Sequence, residues 1–523
     1  MNLDLADIQG NVLTAYGKLG FPKGCIMLFH VADATAGRSF VERLRGRVTT
    51  ALRWPSSKKV VTGAVVVTRP SVTLNIAFTF RGLLALETPG RTLRGMPDEF
   101  IDGMAARAQL LGDDVPGDAP SRWDAVWRPD DPAHVVHILV ALNAQGDGAG
   151  TAAPELDRVA QQLRDFVTDL APGVTLLAGH GPSGADAQAL SAIYESDATG
   201  ALRPTPKEHF GFVDAISDPA FHGQLPDHAA RGRAKGSGKL DRHGRWTPLA
   251  TGEFLLGYPD EAQETAGAAM PLAFSRNGTF FAYRKLHQHV DRFDAAMRSA
   301  ATTFQKVVGV ANPADAELLL RAKIAGRWPD GLPIEVFPSL QDWRGPAADH
   351  ARTAIDPRAL NVFTYGADTD GARCPTGAHV RRMNPRDALD PLGPVARGEP
   401  GGSQLNNRRR ILRRGLPYGR AGAPDEEHGI VFMAVCANLA RQFEFVQQQW
   451  LNYGLDFNAG NQGCPLVGNH PPGTGFVVPA PAGEMPFFLD QLPQFVEMRG
   501  GDYFFVPSLT ALRMIGQGLV DPT

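Results

Sequence analysis

Cysteine is scarce in this chain: Cys25, Cys374, Cys436 and Cys464 are the four in 523 residues. They are widely scattered and never closely paired, which argues against a zinc ribbon, an iron–sulfur cluster or a disulfide scaffold and leaves four reduced thiols as the expectation. A charge surplus of one sign is also missing. Lys+Arg 52 against Asp+Glu 55 gives a formal net charge of -3, without the basic footprint that a nucleic-acid partner requires. No apolar run is long enough to span a bilayer, so no membrane partner is expected. The start, Met1-Asn2-Leu3-Asp4-Leu5-Ala6-Asp7, lacks the charged head and apolar core of a signal peptide, which makes a soluble cytoplasmic protein the default expectation. Glycine (57) and proline (41), by contrast, are plentiful and imply many turns and long loops.

The chain exceeds the size at which one hydrophobic core stops growing, so two domains are expected. Apolar runs at Cys25–Phe29 and Val72–Phe80 read as strands, the second alternating as a half-buried strand does. Between them, 35–53 reads as a helix. Leu156, Val159, Leu163, Phe166 and Val167 put one apolar stripe on a helix that follows a strand-like run from His134 to Leu142. This mixture lacks the strict alternation of a doubly wound fold and favours α+β, helices packed on antiparallel sheets. The polar, glycine-rich stretch 223–247 reads as a linker or long loop, dividing the chain into 1–222 and 248–523. Beyond it a strand is expected at 279–284, a helix at 286–304, a strand at 429–437, and a helix carrying Leu439, Phe443, Val446 and Trp450. No repeat is visible by residue identity, and 144–154, 387–404 and 465–485 read as surface insertions.

Three segments carry possible chemistry. His379 lies in Gly377-Ala378-His379-Val380-Arg381-Arg382-Met383-Asn384-Pro385-Arg386. Its ordinary reading is a histidine at a strand end, hydrogen-bonded to backbone; a single imidazole with arginines nearby also suits haem, since one neutral nitrogen can hold iron while the guanidinium groups pair with the propionates. Asp214, in His209-Phe210-Gly211-Phe212-Val213-Asp214-Ala215-Ile216-Ser217-Asp218-Pro219, could be a helix N-cap or an Asx-turn. The run Arg408-Arg409-Arg410-Ile411-Leu412-Arg413-Arg414-Gly415 would ordinarily be a solvated face.

Taken together and in this order, the three segments resemble the signatures of the dye-decolorizing peroxidase family. The aspartate segment is similar to its Gly-x-x-Asp-Gly element, the histidine segment to its haem-ligand element, and Leu412–Gly419 to its distal-arginine element. Similarity extends to Asp7–Leu13, Gly252–Glu261, Arg441–Phe445 and Arg499–Phe505, and so covers essentially the whole chain.

The resemblance implies two ferredoxin-like α+β domains of the dimeric α+β barrel type, with haem b (iron protoporphyrin IX) in the C-terminal one. It implies His379 as proximal iron ligand, with Glu444 a possible hydrogen-bond partner for its other nitrogen. Asp214 is implied as the proton-transferring group on the peroxide side, and Arg413, with Arg414 as rival, as the stabiliser of developing negative charge. Ala215, Ile216, Ser217, Asn384, Pro385 and Arg386 are implied as haem contacts. The activity implied is reduction of hydrogen peroxide through a ferryl intermediate, at the expense of a dye-like or phenolic small aromatic donor. Because an ordinary aspartate stays ionised where a histidine would be protonated, an acidic pH optimum is expected. One departure stands out: Ala215 replaces the second glycine of the aspartate element, where glycine permits positive φ or close approach of a ligand. Ala215 favours the main rival, a haem-binding, carrier or haem-processing protein of weak turnover. A cofactor-free α+β interaction protein is a further alternative.

Overall fold

The continuous apolar run at 25–29 sits inside β1, Lys23–Val31, which is buried along nearly its whole length because helices cover one face and the core fills the other. Helix α1, Ala34–Arg45, begins where the Asp33 side chain accepts the Ala36 N–H, and it buries Phe40, Val41 and Leu44. It ends earlier than the 35–53 expected. Residues 49–51 are drawn into other backbone bonds, from Thr49 N–H to Leu74 O, Gly10 N–H to Thr49 O and Ala51 N–H to Ile8 O. Strands β2, Val72–Phe78, and β3, Ile138–Ala144, follow, then α2, Pro154–Leu170, and β4, Val174–Leu176. The short β5, Gln188–Ser191, pairs with the start of β1.

The second half repeats the plan. Strand β6, Thr279–Gln288, leads to helices α3, Val290–Val308, and α4, Pro313–Ala325, and to the short α5, His379–Met383. Strands β7, Leu412–Tyr418, and β8, Gly429–Cys436, precede a helical stretch at Ala440–Glu444 and Val446–Leu451, then β9, Val496–Val506, and α6, Leu509–Gln517. The helix expected to begin at 286 starts at Val290, because Leu286–Gln288 still pair with Met498–Val496. Within the stretch after β8, bonds from Glu444 N–H to Leu439 O and from Asn452 N–H to Gln447 O span five residues, the wider π-type turn.

The computed structural model describes residues 2–58, 65–113, 122–128, 132–146, 152–214, 216–241, 243–352, 360–389, 404–422 and 427–520. Among them, nine strands form one antiparallel sheet along the path β7-β8-β6-β9-β2-β3-β1-β4, with β5 also on β1. Each half is therefore a βαββαβ unit whose strands lie in the ferredoxin-like order, fourth beside first, third, then second. The fold is α+β, two such units side by side. Their seam is one residue pair, Phe78 with Phe505, and Gln9 closes it by donating to Ile76 O (2.8 Å) and Pro507 O (2.9 Å). Strand β7 lies alongside β5, bringing the ends of the path together.

Between the halves, 223–247 forms the helix Asp227–Ala234 and a small hairpin of Lys239–Leu240 with Trp246–Thr247. Much of 144–154 and 387–404 lies outside the described residues. The segment 465–485 is no mere surface insertion: Leu466, Phe476 and Val478 are buried in a second core around α3 and α4. All four cysteines are free and buried. Among the described residues no helix is long and apolar enough to cross a membrane.

Candidate active site

A cavity of about 300 Å³ opens beneath the second unit's strands of the joined sheet, and His379, Asp214 and Arg413, although far apart in the chain, all line it. His379 is the first residue of α5. That short helix is seated against the end of α4 by Gly326, whose φ of +86° closes the helix and whose missing side chain would otherwise press on Val380 at 3.2 Å. Arg382 fixes the other side. It is fully buried and donates to Gly377 O, Trp450 O, Tyr453 O and Gln462 O. Nδ1 of His379 lies 3.3 Å from Sγ of Cys464, which leaves Nε2 as the nitrogen available to the cavity.

Asp214 follows an extended segment rather than capping a helix. Its N–H donates to Pro206 O (2.7 Å), and that of Val213 to Pro329 O (2.9 Å). Arg413 comes from β7, whose alternation sends Arg413 toward the cavity and Arg414 to the opposite face. Arg413 and Asp214 form a close ion pair. Burial opposes the Arg413 charge, but Asp214 outweighs it and raises the guanidinium above its ordinary value. Arg414 instead donates to Asn11 O (2.5 Å) and Val12 O (2.7 Å) and pairs with Asp218.

The chemistry of the walls suits a flat apolar group bearing carboxylates. Ile216, Val380, Met383, Ile411, Phe432 and Phe443 supply apolar lining. Arg327 and Arg410 also line it; burial first, and then the charge of Arg386, depress both to about 10. Arg386 itself is lowered by burial, and its Nε is buried with no hydrogen-bond partner, as is Oδ1 of Asn384. All three arginines donate to neutral acceptors, Arg327 to Gly331 O, Leu360 O and Asn361 Oδ1, Arg386 to Asn361 O and Phe363 O, Arg410 to Gly238 O and Ser237 O, so their charge is not balanced by those bonds and the two propionates of a haem would balance it. Glu208 also lines the cavity, accepting from Gln288 Nε2 (2.6 Å) and from the N–H groups of Phe210 and Phe212 (2.9 Å each). Burial pushes its carboxyl up to about 7.

Comparison with known proteins meets this geometry. A family model for the DyP dimeric alpha+beta barrel domain matches residues 7–171, and one for the Dyp-type peroxidase C-terminal region matches 395–458. Peroxidase 2 of Mycetinis scorodonius is 28% identical over 98% of this chain and 88% of its own length. The chain belongs to the dye-decolorizing peroxidase family. Dye-decolorizing peroxidases are haem enzymes, and the chain is one of their kind. Multifunctional dye peroxidase DyP2 of Amycolatopsis sp. is likewise 28% identical, over 98% of this chain and 96% of its own. In fold, the chain resembles an ancestral D-type dye-decolorizing peroxidase (TM-score 0.72, 24% identity, 98% of this chain and 99% of that one). It also resembles a fungal dye-decolorizing peroxidase from Auricularia auricula-judae (TM-score 0.71, 23% identity, 99% of each chain).

Set beside this dye-decolorizing peroxidase fold, the remaining expectations divide. Ile216, Ser217 and Asn384 line the cavity, whereas Pro385 and Arg386 are not among the residues that line it; Arg386 and Asn384 border a small adjoining hollow. Ala215 lies outside the described residues. Glu444 does not face His379, because its carboxylate is taken by Arg107 (2.6 and 2.7 Å) and by the Tyr503 hydroxyl (2.7 Å). The arginines next to His379 are not free for an anion either: Arg381 is spent on Asp368 and Cys374 O, Arg382 on the carbonyls named above. Nor is 408–414 a solvated face. Arg408 pairs with Asp260 and Glu264, Arg409 lies over the Phe445 ring, and Arg410 is in the cavity wall. Sequence reasoning missed Cys464, Glu208, Arg327 and Arg410 as parts of the site. No spacing links them to His379; only the second core's packing does.

Proposed function

We propose that this chain is a haem b peroxidase that reduces hydrogen peroxide with electrons from small aromatic, phenolic or dye-like donors, with His379 as proximal ligand and an acidic optimum. The observation that carries this reading is the meeting of one imidazole, one carboxylate and one guanidinium at a cavity with apolar walls and a surplus of buried arginine. When bound, the haem iron supplies the centre at which the peroxide O–O bond is broken. His379 offers Nε2 to that iron while Nδ1 is engaged elsewhere, and Asn384, Arg410 and Arg327 stand where the carboxylate edge of the porphyrin would be received. The Asp214 carboxylate accepts a proton from one peroxide oxygen and returns it to the other, so that water departs. Arg413 donates hydrogen bonds to the oxygen that gains negative charge as the bond lengthens. Overall, peroxide, two protons and two single electrons from the donor give two waters. A phenolic donor is supported by a related dye-decolorizing peroxidase solved in complex with 2,6-dimethoxyphenol.

The ion pair with Arg413 favours the ionised carboxylate of Asp214 over the acid, and aspartates ordinarily ionise below the range in which a histidine does. Turnover per bound haem is expected to fall about 10²–10⁴-fold in Asp214→Asn and about 10²–10³-fold in Arg413→Leu, with haem retained in both. Steady-state dye oxidation across pH 3–8, normalised to haem content, is the measurement; unchanged turnover in both variants would remove the assignment. A second reading, a haem carrier or haem-processing protein, is favoured by Ala215 at the family's glycine position. A haem-loaded parent protein with no turnover over that pH range would select it.

A further inference from the structure

The sulfur of Cys464 stands where a stronger acceptor was expected, and it is held there from several directions. The Cys464 N–H donates to Leu451 O (2.6 Å), and its carbonyl accepts from Gly468 N–H (3.0 Å) and lies 2.9 Å from Nε2 of His470. The residue is fully buried. Its Sγ meets Nδ1 of His379 at 3.3 Å and the backbone N–H of Val467. The ring on the other side of this contact is itself fixed by α5, which Arg382 ties to Trp450, Tyr453 and Gln462. Neither partner can turn away without disrupting the second core.

We infer that Cys464 is the positioning residue of the proximal side: its sulfur accepts the Nδ1–H of His379, selects the tautomer that presents Nε2 to iron, and sets the electron density that the imidazole passes on. This inference rests on the reading of His379 as haem ligand. A group that accepts from the distal nitrogen of a metal-bound histidine orients the ring and raises its basicity. A stronger acceptor gives a more electron-rich imidazole, favours ferric over ferrous iron, and lowers the reduction potential. Sulfur is a weak acceptor compared with a carboxylate, so the iron here is tuned toward a higher potential than a carboxylate at the same place would give.

The test uses full-length, haem-loaded protein and three variants: Cys464→Val, which removes the acceptor; Cys464→Ser, which keeps a small one; and Cys464→Asp, which supplies a carboxylate. Two quantities are read, the ferric/ferrous midpoint potential by spectroelectrochemistry and the iron–histidine stretching frequency of the ferrous form by resonance Raman. The expected order of potential is Val above Cys, and Asp below Cys, with the stretching frequency in the reverse order. Replacing Cys by Asp is expected to change the ferric-to-ferrous equilibrium by at least tenfold, about 59 mV for one electron. If Val loads no haem, Ser against Asp carries the same comparison. Potentials and frequencies that agree among all haem-loaded forms would overturn the role of Cys464 while leaving His379 as ligand. Absence of any iron–histidine band in the wild-type protein would overturn both.

Discussion

At the residue scale, the groups that matter most are the ones whose charge costs most to bury. Glu208 is a buried carboxyl whose value rises from 4.5 to about 7 through burial. Because its folded value lies above its unfolded one, ionisation is resisted only in the folded protein, and stability falls as pH rises from about 4.5 to about 7. The penalty is roughly 3 kcal/mol at full ionisation. Glu208→Gln removes the titration, so its melting midpoint should decline less than that of the wild type between pH 5 and pH 8, whatever the absolute offset. Parallel pH profiles would show that Glu208 is not the group responsible. Asp214, His379 and Arg413 were legible in the sequence because they sit in recognisable segments. Cys464 was not: it lies 85 positions from the imidazole it touches, and its neighbours resemble any loop.

At the element scale, the two-residue period of β7 does what sequence alone could not. Arg413 and Arg414 are adjacent, and the chain offers no local sign of which one meets the cavity. Strand pairing with β8 separates them to opposite faces, which turns Arg413 to the cavity and Arg414 to the carbonyls of Asn11 and Val12. Arg414→Leu would remove the donor to Asn11 O and Val12 O and the buried ion pair with Asp218, at a cost of about 3 kcal/mol. Its thermal midpoint should drop by several degrees while turnover per bound haem is largely kept, the reverse of Arg413→Leu. A stable Arg414→Leu protein without turnover would exchange the two roles. The same sheet explains where element ends were misjudged. Residues 49–51 and 286–288 have helix-compatible composition, but backbone partners distant in sequence claim them, and such partners leave no trace in local periodicity.

At the scale of the whole molecule, the α+β class was legible from the mixture of strand and helix patterns, whereas the pair of ferredoxin-like units was legible only through the family resemblance, not as a repeat of residues. The two βαββαβ units share topology without shared residues, since either apolar face can be filled by different side chains so long as volume and pattern are kept. The joined sheet leaves a second core of its own around α3, α4 and α5, and the cavity lies where that core meets the underside of the second unit's strands. The proposed function requires this cavity to receive one haem through His379. Absorbance titration of the full chain with haem, for the wild type and His379→Ala side by side, tests it most directly. Saturation at one haem per chain with a histidine-ligated Soret spectrum is expected in the wild type, lost in His379→Ala and recovered when imidazole is added. A His379→Ala protein that binds haem with the wild-type spectrum would contradict it.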